Sequence, residues 1–358
     1  MGAGCTRGPD ALPRQVRDLV MKMMALHRAP ALALSLMLAT GAVQWRNAAP
    51  MPVALGNHAA AAVEGEVLVA GGTTWRAGTK LWLDDVWAYD RTTDRWRRAG
   101  ELPRPVGGAV GISAGNALYV LGGSDGTGAS AHCYRLRLHG GKLRVDTLPD
   151  LPEGRVYAAG ARAGRYLCVV GGCTDPAHLG TATASLFALD LSNREAGWQI
   201  LDPLPGPARV VHAAAGCLGS LYVFGGCYLD DAGTVVNLGD AWCYDLHDRS
   251  WERLPDLPRP NRALTAIGVG ADGVLLMGGY TATAQEAAGG ADDFGFSAEV
   301  LRYDPDRRTY DRAGELPEAA ACPAAVRLGG ELLVLGGEPA MRRRADWVWF
   351  ADLHALLP

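Results

Sequence analysis

Short runs of branched apolar residues, each closed by two glycines, return six times along the chain: VLVAGG (67–72), LYVLGG (118–123), LCVVGG (167–172), LYVFGG (221–226), LLMGG (275–279) and LLVLGG (332–337). Such runs, bounded by turn residues, predict buried strands, and after residue 45 no stretch keeps a long helical period. A small apolar segment precedes the glycine run, as in HAAAAV (58–63) and HAAAG (212–216), and a third segment follows it, as in DDVWAYD (84–90), GDAWCYD (239–245) and EVLRYD (299–304). A fourth phrase sets an aromatic residue seven positions before proline: Trp96 to Pro103, Trp198 to Pro205, Trp251 to Pro258 and Tyr310 to Pro317. Val145 to Pro152 keeps that spacing without the aromatic ring. Each unit therefore predicts four short strands with turns between them.

The second glycines lie 51, 49, 54, 53 and 58 residues apart, the roughly 50-residue period of a kelch repeat. Four strands per unit and six units predict an all-β fold, a six-bladed kelch β-propeller in which neighbouring blades bury one another's apolar faces. The outer-strand phrase is missing after the last double glycine, but it stands upstream as Trp45 to Pro52 in WRNAAPMP. The N-terminal segment is therefore expected to pair beside DWVWFADL (346–353), completing the last blade and removing the open edges of a linear array.

Composition narrows the function. The chain has 358 residues, 20% charged, and a formal net charge of -4. Its basic residues are scattered except at Arg342, Arg343 and Arg344, so no stripe for a nucleic-acid backbone is present. Arg14, Arg17, Lys22 and Arg28 precede the apolar run APALALSLMLATGA (29–42), the pattern of a secretory signal with cleavage near Ala42. This divides the chain into a signal and upstream extension (1–42) and a propeller (43–358). It sets the expected location as periplasmic or secreted, with no stable membrane insertion once the signal is removed. Seven cysteines remain beyond the signal, with no Cys-x-x-Cys pair and no histidine at ligand spacing, so neither a metal nor another cofactor is expected. Cys173 and Cys227 follow double glycines in neighbouring blades, and a rim disulfide between them is conceivable.

In an up-and-down blade, whatever follows a double glycine and whatever opens an inner strand lie on one face, at the mouth of the central channel. That face collects Trp75, Lys80, Glu338, Arg343 and Arg344 after the glycines, and His58, Arg209 and His212 at the inner strands. Loops on a rigid scaffold are where binding chemistry usually sits. His58 and His212 belong to blades 1 and 4, which face each other across a six-blade ring. Each is either a ligand contact or a packed, hydrogen-bonded side chain.

The kelch phrases, KLWLDDVWAYD (80–90), GFSAEVLRYD (295–304) and above all GGEPAMRRR (336–344) resemble the bacterial N-acetylneuraminate (sialic acid) mutarotases, in the circularly permuted form of that family. The family's glutamate and arginine, six residues apart after a double glycine, fall on Glu338 and Arg344. Two departures stand out: Ala340 to Arg343 replace a Pro-Gly turn, and TTWRAG (73–78) replaces an Asn-Phe-Pro loop. The resemblance implies an isomerase that equilibrates the α and β anomers of an acidic sugar by ring opening, without a cofactor. Glu338 is then the catalytic proton carrier, and Arg344 forks onto the sugar carboxylate. His58, Trp75, Lys80, Arg209, His212 and Arg343 are the expected substrate contacts. On residues alone, Glu338 and Arg344 also fit an exposed ion pair contributing about 0–1 kcal/mol. A non-catalytic kelch module binding carbohydrate or protein is the alternative, and oligomeric state is not legible.

Overall fold

Each double glycine sits where a second strand hands the chain to the rim of the channel. The computed structural model describes residues 43–288, 290 and 293–357. Among them, six four-stranded antiparallel sheets follow in chain order, each running outward from its inner strand. The inner strands Ala59–Val63, Val110–Ser113, Ala159–Ala163, Ala213–Cys217, Thr265–Gly268 and Ala324–Leu328 each lie against the next, and the last against the first. They surround the axis of a closed six-bladed propeller. Alanine and glycine dominate them because adjacent backbones approach closely there: a Cβ on Gly216 would stand 1.7 Å from the carbonyl oxygen of Arg162 in the preceding blade.

The core is a set of six wedges between blades. Leu68, Val86 and Ala88 of blade 1 pack against Leu118, Val120 and Leu136 of blade 2. The last wedge joins Leu333, Leu335 and Phe350 of blade 6 to Val67, Val69 and Tyr89 of blade 1. Each buried Leu, Val or Phe contributes about 1.5–3 kcal/mol relative to exposure, so no blade is stable alone. The aspartate ending each third-strand YD phrase has a local duty: in Asp90, Asp245 and Asp304 one carboxylate oxygen accepts the backbone N–H two residues on, which closes the turn to the outer strand.

The ring closes as the spacing of the outer-strand phrases requires. Arg46–Asn47 pairs antiparallel with Val348–Asp352, placing Arg46 opposite Phe350 and Asn47 opposite Trp349. The aromatic residues of the seven-residue phrase do more than pack. The indole N–H of Trp96, Trp198 and Trp251 donates to a carbonyl beyond the preceding blade's outer strand, on Ala49, Pro149 and Asp202 respectively. The Tyr310 hydroxyl does the same to Pro255, and the Trp45 indole donates to Glu315, the last residue of blade 5's outer strand Thr309–Glu315. Val145 cannot donate.

Two rim loops hold structure that the hydrophobic pattern does not announce. Thr73–Arg76 pairs with Thr79–Trp82, and Cys227–Leu229 with Val235–Asn237, as two-stranded hairpins above blades 1 and 4. The phrase KLWLDDVWAYD is thereby split between the hairpin and the blade strand Asp85–Asp90. Among the described residues no helix is long and apolar enough to cross a membrane. Residues 1–42, which include the expected signal, lie outside the described residues.

Candidate active site at the channel mouth

Two rings of equivalent positions define the mouth. The first is made where the residue after each double glycine bridges to the start of an inner strand: Gly56 with Thr73, Gly107 with Ser124, Val156 with Cys173, Val210 with Cys227, Arg262 with Tyr280, and Ala321 with Glu338. Glu338 is the one carboxylate in this ring. The second ring is Asn57, Gly108, Tyr157, Val211, Ala263 and Cys322, one residue further in, all at left-handed φ between 46° and 66°. The N–H of Gly108 donates to the Asn57 carbonyl, Tyr157 to Gly108, Val211 to Tyr157, Ala263 to Val211 and Cys322 to Ala263, at 2.6–3.0 Å. These six residues line a cavity of about 210 Å³ at the top of the channel. At about 30 Å³ per water, that is space for about seven waters or a small polar ligand. A second cavity of about 240 Å³ continues it below.

No sixth bond from Asn57 to Cys322 is present among the described residues. Blades 6 and 1 meet there through Glu338 and Arg344. Backbone bonds to Ala321 on both sides fix Glu338, and its Oε1 accepts from Nη1 of Arg344 at 2.8 Å and from the Arg342 N–H at 3.0 Å. Arg344 is almost fully enclosed, its side chain 4% exposed against 23% for Glu338. Its Nε and Nη2 lie 3.4 and 3.3 Å from the Thr73 hydroxyl, and Nη1 also reaches the Arg343 carbonyl. The fork expected to face a sugar carboxylate is therefore turned inward, onto Glu338 and Thr73. Arg344 is the group that aims Glu338, and Glu338 is the partner left accessible.

Other cations surround the pair. Lys80, on the blade 1 hairpin, is half-buried with its ammonium 5.0 Å from the Trp82 ring. Burial, and then the charge of Arg344, hold its pKa below the ordinary lysine value, while Glu338 and Cys322 act in the opposite direction. Lys80 thus stands within electrostatic reach of the pair. Arg342 and Arg343 are exposed, with Arg342 over the Trp75 ring at 5.8 Å. The Trp75 indole N–H is buried without a protein partner. Cys322 is half-buried on the cavity wall, where burial above all, with Glu338 nearby, pushes its thiol up to about 12.

Three expected contacts are buried, and one of them, Arg209, lies off the cavity. Arg209 is fully buried, held by both oxygens of Asp240 at 2.7 and 2.8 Å and by the Gly225 and Pro207 carbonyls, so it presents no edge to a ligand. His212 is wedged between blades 3 and 4, its Nε2 3.1 Å from the Val170 carbonyl, and burial lowers its pKa to about 3. His58 occupies the same wedge between blades 6 and 1, with neither ring nitrogen hydrogen-bonded; burial and the nearby Arg344 lower its pKa to about 4. Both histidines are buried and neutral, and both belong to the lining of the upper cavity. Cys173 and Cys227 are both buried as free thiols, and Cys173 faces the Val156 carbonyl, so the conceivable rim disulfide is not formed.

Tyr157, Thr73 and Gly56 belong to the mouth, and sequence reasoning did not single them out. A usable signal existed: the inner-ring residue lies 15 positions before the second glycine in five repeats (72 − 57, 123 − 108, 172 − 157, 226 − 211, 337 − 322) and 16 in the fifth (279 − 263).

The class this defines is a closed kelch propeller whose channel mouth carries a carboxylate, a buried arginine and a further cation near a central cavity. Residues 54–103 match the kelch motif, and residues 148–288 match the family model for N-acetylneuraminate epimerase. Curated proteins of that name share 29% identity in Yersinia enterocolitica (57% of this chain and 57% of the relative), 32% in Pasteurella multocida (53% and 54%) and 29% in Haemophilus influenzae (55% and 58%). The chain is thus similar to N-acetylneuraminate epimerases over little more than half its length and little more than half of theirs. Glu338 and Arg344 lie beyond the stretch matched by the family model.

Proposed function

We propose that the protein is a sugar mutarotase acting on N-acetylneuraminate or a closely related acidic sugar, exported to the periplasm or secreted. The observation that carries this reading is the placement of Glu338. It is the one carboxylate of the six-fold ring, partly accessible and held by a buried arginine; it bridges to Ala321, whose neighbour Cys322 lines a cavity large enough for a small polar ligand. Ring opening removes a proton from the anomeric hydroxyl and delivers one to the ring oxygen; closure reverses both transfers. Glu338 is the proton carrier at the anomeric hydroxyl, and Arg344 fixes its carboxylate. Lys80 is the cation available to the substrate's carboxylate. A positioned acid/base of this kind contributes about 10²–10⁴-fold, adequate for a reaction that already proceeds in water.

Freshly released α-N-acetylneuraminate, followed by proton NMR of its ring methylene signals, is expected to relax to anomeric equilibrium faster with the protein than in buffer. Glu338→Gln keeps the shape and removes the proton acceptor, so about 10²-fold or more of the acceleration should disappear while binding persists. A wild-type protein that binds the sugar and leaves the buffer rate unchanged would instead be a carbohydrate-binding module. An active Glu338→Gln variant would remove the glutamate from the chemistry.

A further inference from the structure

Ring opening needs two proton-transfer groups on different substrate oxygens, and Glu338 can serve only one of them at a time. Among the six inner-ring positions, one carries an aromatic hydroxyl: Tyr157, which opens blade 3. In a six-blade ring, blade 3 lies across the channel from blade 6, which carries Glu338. The geometry points to Tyr157 as the second catalytic residue, donating its phenolic proton to the ring oxygen while Glu338 takes the proton of the anomeric hydroxyl. This deepens the mutarotase reading and rests on it.

Several independent features place the phenol in the mouth. Tyr157 holds φ +57°, a left-handed conformation uncommon for a bulky residue, and the structure maintains it with backbone bonds on both sides, from its own N–H to Gly108 and from the Val211 N–H to its carbonyl. The neighbouring ring position is Gly108, where a Cβ would stand 3.1 Å from two carbons of the tyrosine ring, so the glycine leaves the space that the ring occupies. Both residues line the upper cavity. Other tyrosines use their hydroxyls within the fold, as Tyr89 does with Asp94 and Tyr310 with Pro255. The Tyr157 hydroxyl makes no hydrogen bond with the protein among the described residues. Burial above all, followed by Cys173 and Cys322, raises its pKa above the ordinary tyrosine value; Arg344 acts downward and Glu338 upward, so all four groups are near enough to be felt. The phenol is therefore protonated at neutral pH, ready to donate.

The step balances without a cofactor. As the bond between the anomeric carbon and the ring oxygen breaks, its electron pair goes to that oxygen, which takes the Tyr157 proton. The electron pair of the anomeric O–H becomes the π bond of the new ketone, and its proton passes to the Glu338 carboxylate. After the ketone rotates, the open-chain hydroxyl returns its proton to the tyrosinate as it attacks the carbonyl, and Glu338 returns its proton to the carbonyl oxygen. The opposite anomer results, with both side chains restored.

Tyr157→Phe deletes the hydroxyl alone and keeps the ring packed on Gly108, so its thermal melt should match wild type. In the NMR anomerisation assay, kcat should fall about 10²-fold with KM within about threefold, the split expected of a group used in the transition state. If wild type accelerates anomerisation and Tyr157→Phe is equally fast, the tyrosine assignment is overturned and the mutarotase reading stands. The assignment also fails if Tyr157→Phe raises KM and leaves kcat intact, because the hydroxyl would then serve binding only. A wild-type protein running at the buffer rate overturns both.

Discussion

Gly56 has no side chain, and the stem of Arg344 fills the place where one would stand. A Cβ there would lie 2.5 Å from Cδ and 2.6 Å from Nε of Arg344. The arginine cannot simply move aside, because Glu338, Thr73 and the Arg343 carbonyl hold its guanidinium. Gly56→Ala is therefore expected to cost about 1–3 kcal/mol in urea unfolding, the usual penalty of overpacking. It should also lower the anomerisation rate about 10-fold or more by displacing the group that aims Glu338. Gly180→Ala, where a Cβ meets nothing within 4 Å, is the control and should change neither. An unaltered rate in Gly56→Ala would show that the position of Arg344 is immaterial. At this scale the sequence was only half legible. Glu338 follows a double glycine and so had to reach the rim. Arg209 and Arg344 look alike in the chain, and only folding brings Asp240 to one and Glu338 to the other.

The hairpin Thr73–Arg76 with Thr79–Trp82 gives the mouth its local character. It carries Thr73 beneath Arg344, Trp75 beneath Arg342, and Lys80 against Trp82 within electrostatic reach of Glu338 and Arg344. Alternation alone could not reveal it, because KLWLDDVWAYD is apolar enough throughout to pass for one strand. The break falls at Leu83, whose N–H donates to Gly72 and whose carbonyl accepts from Val106, so both backbone groups are drawn out of the blade ladder. A short hairpin over the channel is suited to substrate selection, since it can vary without disturbing the wedges between blades. Lys80→Met keeps the apolar stem over Trp82 and removes the charge. Loss of a charge-assisted bond to the sugar carboxylate, about 1.5–3 kcal/mol, should raise the calorimetric Kd for N-acetylneuraminate about 10-fold or more and leave kcat nearly unchanged. The difference between variant and wild type should shrink as salt is added. Equal affinity at low salt would assign the carboxylate to another cation at the rim, such as Arg343.

Ring closure was legible for a reason that involves the whole chain: six double glycines need six outer strands, and the one missing at the end stands at Trp45. Register and reach were not legible. Only Arg46–Asn47 enters the ladder, yet the segment continues through Ala48 N–H to Val348, Met51 N–H to Asp346 and Leu55 N–H to Ala345. It also touches both neighbouring blades. The Trp45 indole donates to Glu315 of blade 5, and on the other side Trp96 of blade 1 donates to Ala49 while the Ala49 N–H donates to Asp94. Arg46 and Arg91 flank the Phe350 ring at 4.3 and 3.8 Å and share Glu331. Deleting residues 45–52 removes buried Met51 and these bonds together. At about 1.5–3 kcal/mol for a buried methionine and about 0.5–1.5 kcal/mol for each hydrogen bond, the loss is several kcal/mol, a large part of an ordinary stability of about 5–15 kcal/mol. The calorimetric melting temperature should fall by roughly 10 °C or more, and the uncovered edge of Val348–Asp352 should drive association visible on size exclusion. Trp45→Phe removes one donor and should lower the melting temperature by only roughly 2–4 °C, with the protein still eluting as wild type. The mouth lies at the same junction of blades 6 and 1, so the deletion should also disturb the pairing of Glu338 with Arg344 and slow anomerisation more than Trp45→Phe does. A deletion variant that melts and elutes like wild type would mean that the wedge of Leu333, Leu335 and Val348 against Val67 and Val69 closes the ring without the strand.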